Sequence, residues 1–220
     1  MALSFPLTHA QFWGLLPISS CIFDPREAVT SSRTRGGQTL RAERAARLWA
    51  AEVRLGPMIP AEAAAVLPLI NLLRGGAGSF MASDPMRQAP RNDPAGTALG
   101  SAAPSISALS SNSRELALKG LPSGYMLQRG DLLAFSYGTS PIRYALHQIV
   151  NASVKANASG ITPNIEVVPP IRPGAVVDAA VSLIQPACKM EIEPGSYQAG
   201  SLRSGGLVEG VSFSIQQTLR

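Results

Sequence analysis

Apolar and polar positions along this chain repeat with two periods, and the two-residue period dominates. From Leu48 to Leu55, Trp49, Ala51, Val53 and Leu55 face one way while Glu52 and Arg54 face the other, which is the pattern of a half-buried strand. Between Ala61 and Arg74 the spacing changes. Val66, Leu69, Ile70 and Leu73 recur at i, i+3, i+4 and i+7, which predicts one amphipathic helix over 61–74 with those four residues turned to the core. Pro60 and Glu62 suit its start, and Arg74 with Gly75-Gly76 suits its stop. Pro68 inside it predicts a kink or a late start.

After the helix the two-residue period returns. Ser79–Ala82 is a short apolar segment closed by Asp84-Pro85, and the Ala-, Ser-, Pro- and Gly-rich stretch 88–113 reads as a long loop. From 114 to 173 short strands follow closely. Leu116, Leu118 and Leu121 open the series, Leu132–Phe135 follows the turn Arg129-Gly130-Asp131, and the 143–150 segment alternates. Ile165–Val168 is the last of them before Pro169-Pro170 and Pro173-Gly174. This spacing predicts a small barrel or meander. Cys188, Met190 and Ile192, then Val211, Phe213 and Ile215, mark two more strands. The expected architecture is mainly β, with one flanking helix and a small inserted β domain. The base domain takes 1–113 and 174–220, and the insert takes 114–173.

Residues 24–47 stand apart. They are polar and hold Arg26, Arg33, Arg35, Arg41, Arg44 and Arg47 against Asp24, Glu27 and Glu43. Gly36-Gly37 predicts a turn between two extended segments, although 40–48 also has helix-forming composition. This arm carries much of the net charge of +5 on 220 residues. The chain has no helix-turn-helix pattern, RNP-type aromatic motif or dense basic block, so the arm reads as a solvated segment or a subunit contact. Only 15% of residues are charged, too few for a coiled coil, and no apolar run is long enough to span a membrane as a helix. The first residues lack a basic leader, so no signal peptide is expected.

No catalytic constellation emerges. Gly75-Gly76-Ala77-Gly78 follows a helix instead of opening one and lacks the Lys-Ser/Thr of a phosphate loop. Gly195-Ser196-Tyr197 is not a nucleophile elbow, and His147 sits mid-strand. Glu191 and Glu193 share one strand face, which is the spacing of a solvated outer face more than of a glycosidase pair. Arg129-Gly130-Asp131 and Asp84-Pro85 are turn chemistry. Cys21, Cys188, His9 and His147 have no zinc spacing, and the two cysteines are expected as buried thiols. The reading is of a non-enzyme with no catalytic, metal or cofactor residues.

The order of segments resembles the distal tail proteins of siphoviruses and related gene-transfer particles over about residues 45–220. The resemblance rests on LWAAEVRLGPM (48–58), AEAAAVLPLINLLRG (61–75), GSFMASDP (78–85), LQRGDLLAF (127–135), IRYALHQIV (142–150), IEVVPPIRPG (165–174) and GVSFSIQQTLR (210–220). It implies a base domain of tail-tube type and a structural protein of the virion tail tip, made in the host cytoplasm. It also implies a ring, commonly of six copies, between the tail-tube protein and the hub or baseplate proteins. DNA would be a partner only in passing through the lumen. Arg33, Arg35, Arg41 and Arg44 are then the candidate contacts to a neighbouring subunit. Val66, Leu69, Ile70 and Leu73 are the candidate helix core, and the insert would face outward or toward the tip. A tail-tube or tail-completion protein and a carbohydrate-binding tail module are the competing readings. For the module, Tyr125, Tyr137 and Tyr144 are the candidate sugar platform.

Overall fold

The computed structural model describes residues 3–45 and 47–220. The chain opens with two 3-10 turns, His9–Gln11 and Trp13–Leu15. It continues through β1 (Ile18–Pro25), β2 (Val29–Arg33), β3 (Thr39–Glu43) and β4 (Trp49–Leu55), then α1 (Pro60–Leu73) and β5 (Phe80–Ser83). Next come β6 (Ser105–Leu109), β7 (Glu115–Lys119), β8 (Met126–Gln128), β9 (Leu132–Tyr137), β10 (Arg143–Ile149) and β11 (Ser153–Lys155). β12 (Ile165–Val168), β13 (Val181–Ser182), β14 (Ala187–Ile192), β15 (Ser201–Leu202), β16 (Val208–Glu209) and β17 (Ser212–Gln217) complete it. The protein is mainly β with one α-helix.

Two antiparallel sheets carry the fold. The first has the order β1-β4-β17-β14-β5, so its strands come from both ends of the chain. The second has the order β13-β9-β10-β12-β7-β6 and is drawn from one continuous stretch. It curls. Ala180 bridges Ser105 at the free side of β6, and the next residue, Val181, begins β13, which pairs with β9 at the opposite edge. Backbone bonds from Ile106 to Ala179 (3.0 Å), Asp178 to Ile106 (2.9 Å) and Val181 to Pro104 (2.8 Å) stitch the seam. The segment 178–182 thus joins both edges and leaves neither open for stray pairing.

Each sheet encloses its own core. The first contains Trp49, Val53, Phe213, Ile215, Cys188, Met190 and Phe80, with Val66, Ile70 and Leu73 from α1. Phe12 and Trp13 reach it from the start of the chain. Phe12 meets Phe80 edge-on at 4.7 Å, and Trp13 Nε1 donates to the Ser83 carbonyl at 2.9 Å. The second core fills the curled sheet with Leu116, Leu118, Ile106, Phe135, Ile149 and Ile165. β9 and β10 serve both. Leu132, Ala134 and Leu146 point to the first core, while Leu133, Phe135, Ala145 and Ile149 point to the second. A strand covered on both faces has no solvent side, so the 143–150 alternation marks two apolar layers rather than inside and outside.

Four expectations need correcting. The 88–113 stretch is not all loop, since it contains β6. Its apolar positions, Ile106 and Leu109, are out of step because the register shifts between Ile106 and Ala108, which hides the two-residue period. The curled sheet accordingly spans 105–182, beyond the expected 114–173 at both ends. In α1 the fully buried residues are Ala63, Val66, Ile70 and Leu73, while Leu69 is half-buried at the margin of the core. The helix also starts at Pro60, without delay. Pro68 lies on its exposed side, where the carbonyl it leaves unbonded meets solvent.

Long connections are held by buried carboxylates. Asp84 accepts from the Met86 amide (2.8 Å) and from Arg87 Nε (2.5 Å). Asp93 accepts from the amides of Ala98 (3.0 Å) and Leu99 (2.8 Å), and Asp131 from those of Arg91 (3.0 Å) and Gln128 (2.8 Å). Each replaces lost water with directed N–H donors, which is the condition for burying charge.

Candidate interface arm and the seam between the sheets

The Arg-rich segment is a hairpin. β2 and β3 pair from Val29↔Glu43 to Arg33↔Thr39, and the helical option for 40–48 is not taken. Thr34 and Gln38 close the turn through a 2.9 Å backbone bond. Gly37 takes φ +80°, a conformation that favours glycine. The hairpin continues the β1–β4 pair past the sheet. Arg26 N donates to the Leu48 carbonyl (2.9 Å) and Arg44 N to the Ala28 carbonyl (2.8 Å) at its base. Every described residue from Thr30 to Ala45 is exposed.

The register fixes which side chains share a face. Residues opposite one another in an antiparallel pair point the same way. The pairs Ser31↔Arg41 and Arg33↔Thr39 therefore place Ser31, Arg33, Thr39 and Arg41 together. Arg35 sits in the turn, and Arg44 is at the base on the face of Leu40 and Ala42. None of these four arginines makes an ion pair among the described residues. Of the other arm arginines, Arg26 pairs with Glu193.

β1 is an edge strand beside the arm, and Arg87 donates to its outward Phe23 carbonyl at 3.2 Å. It pairs with β4 on one side only, and Ile22 stands 63% exposed on it. The outward face of the first sheet is polar, with Asp24, Glu52, Arg54, Lys189, Glu191 and Ser214 on alternating positions. Glu191 and Glu193 lie on this face, Glu193 in its pair with Arg26.

The sheets are joined at Trp49. Its Nε1 donates to the Leu146 carbonyl of β10 at 2.6 Å. Gln217 of β17 accepts from the Trp49 amide (3.2 Å) and donates to the Tyr144 carbonyl (2.8 Å). Nearby, His147 Nδ1 donates to the Pro169 carbonyl at 2.7 Å, which leaves a lone pair on Nε2. Burial holds the His147 pKa down at about 4, against the opposing pull of that hydrogen bond. The ring stacks on Phe135 with centroids 5.4 Å apart. Its Nε2 and the Tyr137 hydroxyl, both buried without a protein partner, line a water-sized cleft with Arg47, Arg172 and Gln217. Nothing in the two-residue period singles out this cluster, because His147 and Tyr137 occupy ordinary inward positions.

The remaining candidates have structural partners. Ser196 Oγ donates to the Glu193 carbonyl (2.7 Å) and accepts from the Ser214 amide (3.1 Å), locking its turn. Asp131 of the Arg129-Gly130-Asp131 turn is buried in the bonds given above. Cys188 is buried in the first core. Cys21 is half-buried, and burial, aided by the Asp84 charge, pushes its thiol up to about 11. Among the described residues no three His, Cys, Asp or Glu side chains gather as a metal set. No described helix is long and apolar enough to cross a membrane. An open apolar groove of about 530 Å³ runs between Met81, Leu99, Tyr144 and Ile184, without the convergent polar groups that orient a small ligand. The chain matches no family model and no curated protein.

Proposed function

We propose that this chain is a structural subunit of a long non-contractile phage tail. It forms a ring, commonly of six copies, at the distal end of the tail tube and connects the tube to the hub and tip. The observation that carries this reading is the side of β1 that no strand pairs, with Ile22 exposed on it. An eight-residue edge bearing an exposed isoleucine is a pairing hazard in a monomer. Covering that edge with the next copy by a repeated rotation gives a closed ring. The sequence resemblance to distal tail proteins supplies the biological setting. The mainly-β fold with one helix is compatible with it.

Two rival readings fare differently. A tail-tube protein would use the same edge but polymerise without limit. A sugar-binding module needs exposed aromatic rings. Tyr125 and Tyr137 are buried and Tyr144 is half-buried, so the expected platform is not on the surface.

Light scattering of the purified chain, with negative-stain imaging, tests the proposal. Closed rings of uniform size support it. Long tubes favour the tail-tube reading, and a monomer at every concentration overturns self-assembly of the isolated chain.

A further inference from the structure

The arm was expected to meet a neighbouring subunit, yet its chemistry fits a different partner. Stable protein interfaces place apolar and aromatic side chains at their centre and exclude charge from it. The exposed hairpin has no aromatic residue, and its large apolar side chains are Leu40 and the half-buried Val29. Between Val29 and Arg44 it carries Arg33, Arg35, Arg41 and Arg44 against Glu43 alone. Interleaved with them are Thr30, Ser31, Ser32, Thr34, Gln38 and Thr39. Guanidinium groups without carboxylate partners, set among hydroxyls, are suited to phosphate oxygens.

We infer that this hairpin is a binding element for double-stranded DNA, held through its phosphates. The geometry supports a duplex. Two strands about 4.8 Å apart, with side chains on both faces, match a major groove about 12 Å wide. Five paired positions reach roughly 17 Å along it. On one face Arg33 and Arg41 sit at diagonal corners with Ser31 and Thr39 between them, so the guanidinium groups can meet phosphates on either side of the ribbon. Arg35 adds charge at the tip; Glu43 is the one acid on this face, at its base, and Arg44 lies on the opposite face. The deep, narrow major groove of duplex RNA does not admit such a ribbon, which selects B-form DNA. The ribbon aligns no set of side chains that would read base edges, so the contact is to the backbone and independent of sequence. The inference stands on the ribbon alone and holds whether or not the chain forms a ring.

The test is fluorescence anisotropy of a labelled 20-base-pair DNA duplex titrated with the full chain between 25 and 200 mM salt. Three phosphate contacts, from Arg33, Arg35 and Arg41, predict a log–log salt slope of about −2.7. The double variant Arg33→Gln/Arg41→Gln should lose about 1.8 of that slope and bind more weakly at low salt. All four arginines are exposed, so the melting temperature should not move. Arg203→Gln, an exposed arginine outside the arm, should bind as the parent does. Absence of binding at 25 mM salt overturns the proposal, and so does a slope that the arm variant leaves unchanged. Equal competition by duplex RNA overturns the groove assignment. If the arm variant changes the mass seen by light scattering but not DNA binding, the arm is a subunit contact and the inference fails.

Discussion

The indole nitrogen of Trp49 bonds the carbonyl of Leu146 across the two sheets, from a ring that is fully buried. Strand β10 enters the first core beside that bond. The contact is therefore both a hydrogen bond and the point where two independently curled layers are registered. Trp49→Phe keeps most of the buried ring and removes the donor. It should cost about 1–3 kcal/mol, the range for leaving a buried carbonyl unpaired. Chemical denaturation read against the parent measures it, and a change below about 0.5 kcal/mol would mean the sheets dock by packing alone.

His147 gives the protein an acid-sensitive seam. Its folded pKa of about 4 lies below the ordinary histidine value of 6.5. The unfolded chain therefore takes up a proton at this site before the folded one does. Stability should fall as pH drops from about 6.5 to about 4, and this contribution should level off below that. Its full size is on the order of 3 kcal/mol, from the two values. The groups facing His147 are Tyr137, Arg47, Arg172 and Gln217. His147→Gln should flatten the profile in that window, whatever it does to stability at pH 8.

Gly78 leaves no room for a side chain. An added Cβ would lie 2.4 Å from the Leu73 carbonyl oxygen and 2.6 Å from the Leu73 Cα, both backbone atoms. Gly78→Ala should destabilise by roughly 1–3 kcal/mol through overpacking. A lowered melting temperature checks it. Gly76→Ala, at a position with nothing within 4 Å, should leave the melting temperature near that of the parent.

The two sides of α1 should answer differently to truncation. Ile70 is completely buried, and Ile70→Ala should cost about 2–5 kcal/mol. Leu72 is 44% exposed, and Leu72→Ala should stay within about 1 kcal/mol. Equal losses would mean that the exposed side of the helix is covered in solution.

Asp131 ties the long 84–104 connection to the turn before β9. Asp131→Ala removes the acceptor of two amides, those of Arg91 and Gln128. It should cost about 2–3 kcal/mol, in keeping with hydrogen bonds to a charged group, and expose the connection to limited proteolysis.

Elements whose solvent and core faces differ were legible in the sequence. β4, α1 and β17 each bury one face, so their periods of 2 and 3.6 are written in Trp49, Val66 and Phe213 and their neighbours. The arm hairpin could be read from Gly36-Gly37 and its polarity. β6 was hidden because its bulge breaks the alternation, and the N-terminal turns because Phe12 and Trp13 have no periodic neighbours. The Trp49–Leu146 contact and the His147 cleft depend on residues far apart in sequence. Only the docking of β10 against the first core brings them together, and no local pattern encodes that.

The order of strands in the first sheet sets the order in which a nascent chain can mature. The curled sheet is a contiguous run, 105–182, and can close as soon as it leaves the ribosome. The first sheet cannot, because β17 is made after both β4 and β14 yet lies between them. Until it inserts, those two strands each wait with an unpaired side, and β1–β4 and β14–β5 remain separate ribbons. The second core is thus the early template. The sheet that carries the β1 edge becomes continuous only after Gln217 has been added.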